Sequence, residues 1–225
     1  MSLTEIESEL APETLDQLRA VPIVKGHPLI AVDVDDTLVV FVDHLDRFIR
    51  TLGFEMRLVT YQLEGTMFPI GSEEALPFDD CIGLINRFFE EQALEQEPIL
   101  GGVDALLRLS GLAQIVILTN VPRRATKDRR RNLNQIGLPY PLVVNSGGKG
   151  RAMAWLAEHA AAPTALVDDS VSQMESASIH APGVIRIHFA GVEHVRRIFP
   201  SCEHATAQVH DWAACEERLV AALGL

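Results

Sequence analysis

The stretch that decides the fold is LIAVDVDDTL, residues 29–38. It opens with a run of small and branched apolar residues, which is typical of a strand buried on both faces of a parallel sheet. Three carboxylates follow within four positions, namely Asp33, Asp35 and Asp36. Carboxylates this close repel one another unless a cation stabilises them, and ligands bind beyond the carboxyl ends of strands in open parallel sheets. The stretch predicts a cation site there, or alternatively an acidic strand-to-loop turn, where Asp is common.

Beyond residue 98, apolar runs and helical periods alternate regularly. Strands are predicted at 114–118, 142–144, 164–167 and 184–189, and a helical pattern separates each from the next. Strands separated by helices of this length predict parallel βαβ units with right-handed crossovers. With the first strand at about 28–33, the predicted fold class is α/β, a doubly wound Rossmann-like parallel sheet.

A long interruption lies between the first strand and the rest of this alternation. It carries helical periods at about 41–52 and 79–94, and residues 63–77 read mostly as loop. Loops longer than ~12–15 residues are usually functional or have structure of their own. We therefore predict a core over 27–40 and 98–225, a small and mainly helical cap domain over 41–97, and an N-terminal arm over 1–26. The alternative for the insert is a pair of extra helices lying on the core.

Two later strand ends supply groups suited to an anion. Thr119 and Asn120 end the strand at 114–118, and a hydroxyl followed by a backbone amide can bind phosphate oxygens. The alternative is a threonine that caps the next helix. Lys149 lies in the NSGGKG segment and opens a helix, where the dipole disfavours a cation unless it faces an anion. The alternative is a solvated surface lysine.

A third strand end is acidic. The run TALVDDS, residues 164–170, is a second apolar strand that ends in the pair Asp168 and Asp169. Adjacent carboxylates at the end of a buried strand suit a hard, oxygen-liganded cation such as Mg²⁺. One of the acids, or Ser170, could instead cap the following helix, and both roles can hold at once.

The four segments DVDDTL, ILTN, SGGKG and LVDDS occur in the order and at the spacing of the four signatures of the haloacid dehalogenase (HAD) superfamily. The chain resembles that superfamily over about residues 28–189 outside the insert. Two departures are visible. Asp36 stands where Gly is common, and the fourth signature is Val-Asp-Asp rather than Gly-Asp with a later acid. The insert resembles the helical caps of the superfamily, and its opening around Phe41, Asp43 and His44 is similar to the deoxyribonucleotidase-like branch.

The resemblance implies a role for each signature residue. Asp33 would be the nucleophile, and Asp35 would protonate the leaving oxygen and then activate water. Thr119, Asn120 and Lys149 would bind the phosphate. Mg²⁺ would lie between the following groups: Asp33, the backbone carbonyl of Asp35, and Asp168 or Asp169.

An acid at position 35 favours phosphomonoester hydrolysis over dehalogenation, because a halide needs no proton. The resemblance therefore implies an Mg²⁺-dependent phosphatase that acts on a nucleotide or a sugar phosphate through an aspartyl-phosphate on Asp33. Two alternatives stay open. One is a catalytically silent binding or regulatory protein of the same fold. The other is a phosphotransferase that uses an acceptor other than water.

Composition limits the partners. The chain has 225 residues, of which 48% are hydrophobic, enough for one core with a smaller inserted domain. A formal net charge of −12 argues against nucleic acid or an anionic membrane as a partner, and no apolar run approaches the ~18 residues that span a bilayer. Three widely spaced cysteines indicate a reducing, cytoplasmic setting. We expect a small phosphorylated metabolite as partner, and the oligomeric state stays open.

One basic cluster follows Thr119. Its members are Arg123, Arg124, Lys127, Arg129, Arg130 and Arg131. The cluster could attract a second anionic group of a substrate towards the site. The alternative is a solvated basic face of a helix.

Overall fold

A computed structural model describes residues 3–58, 65–198 and 201–225 of the chain. The predicted cap range therefore contains one segment, 59–64, that lies outside the described residues. Within the described residues, no helix is both long enough and apolar enough to cross a bilayer.

The core is built on a six-stranded sheet. Its strands are β1 (Leu29–Val32), β4 (Gln114–Thr119), β5 (Leu142–Val144), β6 (Thr164–Asp168), β7 (Ile185–Phe189) and β8 (Ala207–Val209). Their order across the sheet is β5-β4-β1-β6-β7-β8, and every neighbouring pair is parallel. The predicted α/β, doubly wound fold class is confirmed. The short edge strand β8 was not predicted.

The apolar run at residues 29–32 forms β1, which lies in the interior of this sheet between β4 and β6. All four residues of β1 are buried, and Ile30 pairs with Ile115 of β4 on one side and with Ala165 of β6 on the other. The Asp33 backbone N–H continues the ladder to the Val167 carbonyl oxygen at 2.9 Å. This register brings the carboxyl ends of β1, β4 and β6 to one edge of the sheet, where the predicted site residues follow.

Helices cover both faces of the sheet. One face packs against α5 (Gly102–Leu109) and α10 (Trp212–Leu223), and the other against α7 (Gly150–Ala160) and α8 (Val171–His180). Two further helices complete the core, α6 (Thr126–Gln135), which follows a 3₁₀ turn at Arg123–Ala125, and α9 (Glu193–Ile198). The two apolar layers cover the faces of the sheet, and the polar site residues lie at its carboxyl edge.

The N-terminal arm packs on the core. It forms α1 (Leu3–Ser8), which was not predicted, and α2 (Pro12–Ala20). Leu18 of α2 is fully buried, and it belongs to the same apolar cluster as the buried side chains of α7. The Thr14 hydroxyl donates to the Val144 carbonyl oxygen at 3.0 Å, and the Val144 N–H donates to Gln17 Oε1 at 2.8 Å. These side chains satisfy backbone groups of the edge strand β5, which would otherwise be open to another chain.

In its described residues, the insert forms two helices and a small sheet. The helices are α3 (Val42–Arg50) and α4 (Phe78–Gln92), and β2 (Phe54–Met56) pairs antiparallel with β3 (Met67–Pro69). Its apolar cluster joins both helices to the core residues Val121 and Ala125. The sequence predicted mostly loop over 63–77, where β3 lies, and gave no assignment for the stretch that contains β2. Both strands are too short and too mixed in polarity to be recognised from the pattern.

The two chain segments that join insert and core run side by side. The Val40 N–H donates to the Glu97 carbonyl oxygen at 2.9 Å, and the Ile99 N–H donates to the Leu38 carbonyl oxygen at 2.8 Å. These bonds lie close to the predicted domain limits at residues 40 and 98.

Candidate active site

One cavity of about 310 Å³ lies between the carboxyl edge of the sheet and the insert. Every site residue predicted from the sequence lines it: Asp33, Asp35, Thr119, Asn120, Lys149, Asp168 and Asp169. The topology explains why, because these residues end or follow β1, β4, β5 and β6, whose carboxyl ends share this edge.

Lys149 is buried at the floor of the cavity and is not a solvated surface lysine. Its side chain is 2% exposed, and its Nζ lies 2.6 Å from Asp33 Oδ1 and 2.6 Å from Asp168 Oδ2. Burial works against the charged form, but the two carboxylates outweigh it and raise the pKa of Lys149. The ammonium group is therefore a permanent positive charge beside Asp33.

Three carboxylates meet beside this ammonium group. Asp33, Asp168 and Asp169 are buried, and one oxygen of each lies within 4.8 Å of the others. Burial raises the pKa of Asp168, with Lys149 opposing this and Asp33 adding to it. Clustered buried carboxylate oxygens are the ligand set of a hard divalent cation, so these residues fit Mg²⁺. The side chain of Asp35 is not part of this cluster among the described residues.

Thr119 presents an unusual hydroxyl. Its residue is 1% exposed, and its Oγ1 has no hydrogen-bond partner among the described residues. The hydroxyl therefore does not cap a helix, which was the alternative. Leaving a buried hydroxyl unpaired costs about 1–3 kcal/mol. An oxygen of a ligand in the cavity would remove that cost.

The side chain of Asn120 links two loops, a role that the sequence did not indicate. Its side-chain Nδ2 donates to the Gly147 carbonyl oxygen at 2.8 Å, and its Oδ1 accepts from Asn145 Nδ2 at 3.1 Å. Asn145 Nδ2 also donates to the Gly147 carbonyl oxygen at 3.0 Å. These bonds fix the loop after β4 to the loop that carries Lys149.

The glycines beside Lys149 serve the packing of two helices. A Cβ at Gly148 would clash with the Ser176 hydroxyl, and a Cβ at Gly150 would clash with the Ser176 backbone carbonyl. These glycines let the start of α7 lie directly on α8, which positions Lys149.

Arg129 and Gln96 are functional candidates that the sequence analysis missed. Arg129 is fully buried, and its Nη2 lies 2.5 Å from Asp35 Oδ1 and 2.8 Å from Gln96 Oε1. Gln96 Nε2 donates to Asp35 Oδ1 at 3.0 Å and to the Val40 carbonyl oxygen at 3.1 Å. Burial raises the pKa of Asp35, the Arg129 charge opposes this, and the Asp33 charge adds to it. Asp35 is thus held through one oxygen and favoured in its protonated form by burial.

The basic cluster does not act as one surface. Arg129 faces inward, whereas Arg123 pairs with Glu13 of the arm and Arg124 pairs with Glu90 of the insert. Both predicted alternatives, attraction of a substrate and a solvated helix face, require that the whole cluster be exposed. Arg129 fits neither, because it is buried and paired with Asp35. Its signal in the sequence is position, because it shares a helical face with the buried residues Asn132 and Leu133.

Asp36 explains one departure from the HAD pattern. Its φ of 53° is left-handed, which favours Gly and which Asp tolerates better than most residues. Its carboxylate accepts the Phe41 N–H at 2.8 Å and the Val42 N–H at 3.3 Å. An aspartate here therefore stabilises the first turn of α3, where the helix dipole favours a negative charge.

Comparisons with known proteins are informative only at the level of structure. No protein-family model and no curated protein sequence matches the chain. A HAD family hydrolase from Deinococcus radiodurans, solved with bound phosphate and sodium, superposes with a TM-score of 0.60 at 15% identity, covering 86% of this chain and 95% of that chain. YfnB from Bacillus subtilis, bound to magnesium, gives 0.59 at 16% identity, covering 89% and 100%. CbbY from Rhodobacter sphaeroides, in complex with phosphate, gives 0.55 at 16%, covering 88% and 100%.

These likenesses cover 86–89% of this chain and 95–100% of the solved chains. At such low identities they establish the fold alone. The chain has the fold of the haloacid dehalogenase-like hydrolases.

Proposed function

We propose that the protein is an Mg²⁺-dependent phosphatase that hydrolyses a small phosphorylated metabolite through an aspartyl-phosphate on Asp33. The observation that carries the proposal is the unpaired, buried Thr119 hydroxyl in the cavity that also holds Lys149 and Asp33. A hydroxyl donor, a fixed ammonium group and a carboxylate suit a phosphoryl group under nucleophilic attack. A likeness to structures solved with phosphate supports the same reading.

In the first step, an oxygen of Asp33 attacks phosphorus and the ester oxygen leaves. Lys149 and Thr119 hold the phosphoryl oxygens and stabilise the charge that builds up on them. Lys149 is suited to this because its raised pKa keeps it charged at any physiological pH. In the second step, water attacks the aspartyl-phosphate and frees Asp33.

Asp35 handles the proton in both steps. It donates a proton to the leaving oxygen, and as a carboxylate it then takes a proton from the attacking water. Arg129 and Gln96 both contact Oδ1 of Asp35, which leaves Oδ2 for the proton transfer. We assign these two residues as positioning residues for Asp35, because they act through it and are not among the residues that line the cavity.

Asp33, Asp168 and Asp169 would hold the Mg²⁺ ion, together with the backbone carbonyl of Asp35. Bound there, the ion would offset the charge of the substrate and of the nucleophile. The carboxylate cluster supports this assignment, as does the likeness of the chain's fold to a structure solved with magnesium.

The test measures phosphate release from nucleoside monophosphates, sugar phosphates and p-nitrophenyl phosphate, with Mg²⁺ and with EDTA. Asp33→Asn should abolish release, and mass spectrometry should find a phosphorylated Asp33 only in the unsubstituted protein. The matched control is Asp104→Asn, since Asp104 is exposed on α5 and lies outside the cavity lining, so it should keep the activity. Near-normal release by Asp33→Asn would refute the proposal. Added alcohols would reveal a phosphotransferase through a phosphorylated acceptor.

A further inference from the structure

Among the described residues, the part of the cavity lining that the insert contributes is mainly apolar. Together with one residue of α9, this part forms an apolar wall. Its members are Phe41, Val42, Leu45, Met56, Leu58, Ile85, Phe89 and Ile198. Thr66 is the polar contribution of the described part of the insert. The part of a ligand that extends away from Asp33 therefore meets hydrocarbon and aromatic surface.

The charges around this wall disfavour a second anionic group. Among the described lining residues, Lys149 is the only cation, and it is already paired with two carboxylates. A second cavity continues outward past Val42 and Met56. Its described charged residues are Asp43, Asp46, Glu193 and Arg197. Arg197 pairs with Glu193, and Arg50 pairs with Asp46, so the remaining net charge is small and negative.

We propose that this apolar wall is a leaving-group subsite for an uncharged, hydrophobic body, so that the preferred substrate is a phosphomonoester of an apolar alcohol. The inference rests on the proposed phosphatase function and narrows its substrate class. Polyhydroxylated sugar phosphates bind poorly, because the wall would desolvate their hydroxyls without offering partners. Esters with a carboxylate or a second phosphate bind poorly, because the rim is acidic.

A homologous series of n-alkyl phosphates isolates this effect. Each added CH₂ leaves the acidity of the leaving alcohol nearly unchanged, so chemistry stays constant while buried apolar area grows. Each buried CH₂ contributes about 0.8 kcal/mol, which raises kcat/KM about fourfold per carbon until the cavity is full. Glucose 6-phosphate and 3-phosphoglycerate serve as the polyhydroxylated and the anionic comparison.

Two variants test whether the slope belongs to the wall. Ile85→Thr replaces a half-buried lining residue of α4 with a polar side chain and should flatten the increase per carbon. Ile70→Thr is the matched control, since Ile70 belongs to the insert, is 55% exposed and lies outside the cavity lining. It should keep the slope. Calorimetric binding of n-alkylphosphonates, which cannot be hydrolysed, to the Mg²⁺-loaded protein provides the same slope without turnover.

The outcomes separate the subsite from the catalytic proposal. A rising slope that Ile85→Thr flattens and Ile70→Thr keeps supports the subsite. A flat series together with efficient glucose 6-phosphate hydrolysis overturns the subsite and leaves the phosphatase function standing. If no ester is hydrolysed, the phosphatase proposal fails, but the phosphonate binding series still tests the subsite. An affinity that rises with chain length supports the subsite, and a constant affinity overturns it.

Discussion

Replacing Arg129 with methionine should separate proton transfer from the rest of catalysis. The substitution removes the charge that lies 2.5 Å from Asp35 Oδ1 and keeps a long apolar chain in a fully buried position. Gln96 Nε2 still contacts the same oxygen at 3.0 Å, so the acid is loosened rather than lost. A general acid contributes about 10²–10⁴-fold, and we expect the lower end of that range, a loss of about 10²-fold with an alkyl phosphate.

The loss should depend on the leaving group. An alkoxide needs a proton to leave, whereas p-nitrophenolate leaves as the anion. The assay compares kcat/KM for the two esters, because this parameter covers phosphoryl transfer and excludes the later hydrolysis of the aspartyl-phosphate. We expect the p-nitrophenyl ester to stay near the unsubstituted value.

The variant also carries a cost in stability. Breaking a buried ion pair by removing one partner costs about 3–5 kcal/mol, and we expect about 3 because Asp35 borders the cavity and is 17% exposed. Circular dichroism and thermal unfolding establish that the variant is folded at the assay temperature. The matched control is Arg131→Met on the same helix, since Arg131 is 70% exposed and should change neither rate nor stability.

Equal losses of kcat/KM for the two esters would refute the reasoning, because Arg129 would then support the fold of the site rather than the proton donor. Unchanged rates with both esters would also refute it, because the contact with Asp35 would then have no catalytic effect.

Three further predictions follow from single contacts. Thr119→Val removes an unpaired buried hydroxyl at constant shape, so thermal unfolding should show a gain of about 1 kcal/mol while kcat/KM falls; a loss of stability would contradict this. Gly150→Ala should destabilise by about 1–3 kcal/mol because its Cβ meets the Ser176 carbonyl, whereas Gly83→Ala in α4 has open space and should stabilise by up to about 1 kcal/mol. Burial, opposed by Arg129, raises the pKa of Asp35, so kcat/KM for alkyl phosphates should fall as the pH rises through that raised pKa; the same fall with p-nitrophenyl phosphate would exclude Asp35 as its source.

The central sheet could be predicted because its information is local. A strand buried on both faces must be a continuous apolar run, and the runs that form β1, β4 and β6 each end in polar residues. Parallel pairing then brings those ends together without further assumptions. The strands β2, β3 and β8 have three residues each and are interrupted by Glu55, Pro69 and Gln208, so they show no apolar run. The equally short β5 is an uninterrupted apolar run, which is why it could be predicted.

The candidate site could be predicted only where a residue lies at a strand end. Arg129 and Gln96 lie elsewhere, on α6 and at the end of the insert after α4, and reach Asp35 through tertiary packing. A basic run reads as a solvated face because charged residues are rarely fully buried unless paired. Arg129 is buried because it pairs with Asp35, which lies 94 positions away in the sequence. No local pattern reveals a pairing over that distance.

The amide of Gln96 has a mechanical consequence. Its Nε2 spans from Asp35 in the nucleophile loop to the Val40 carbonyl oxygen, where the chain leaves the core, while the Gln96 backbone carbonyl accepts from Asn132 Nδ2 at 2.9 Å. Gln96 thus links Asp35, the proposed proton donor, to both chain segments that connect the core and the insert, which we call the neck. A displacement of the insert that moves Val40 must lengthen or break one of these bonds. We therefore expect the orientation of Asp35 to depend on the position of the insert, and the proposed acid to be correctly oriented only when these hydrogen bonds are intact.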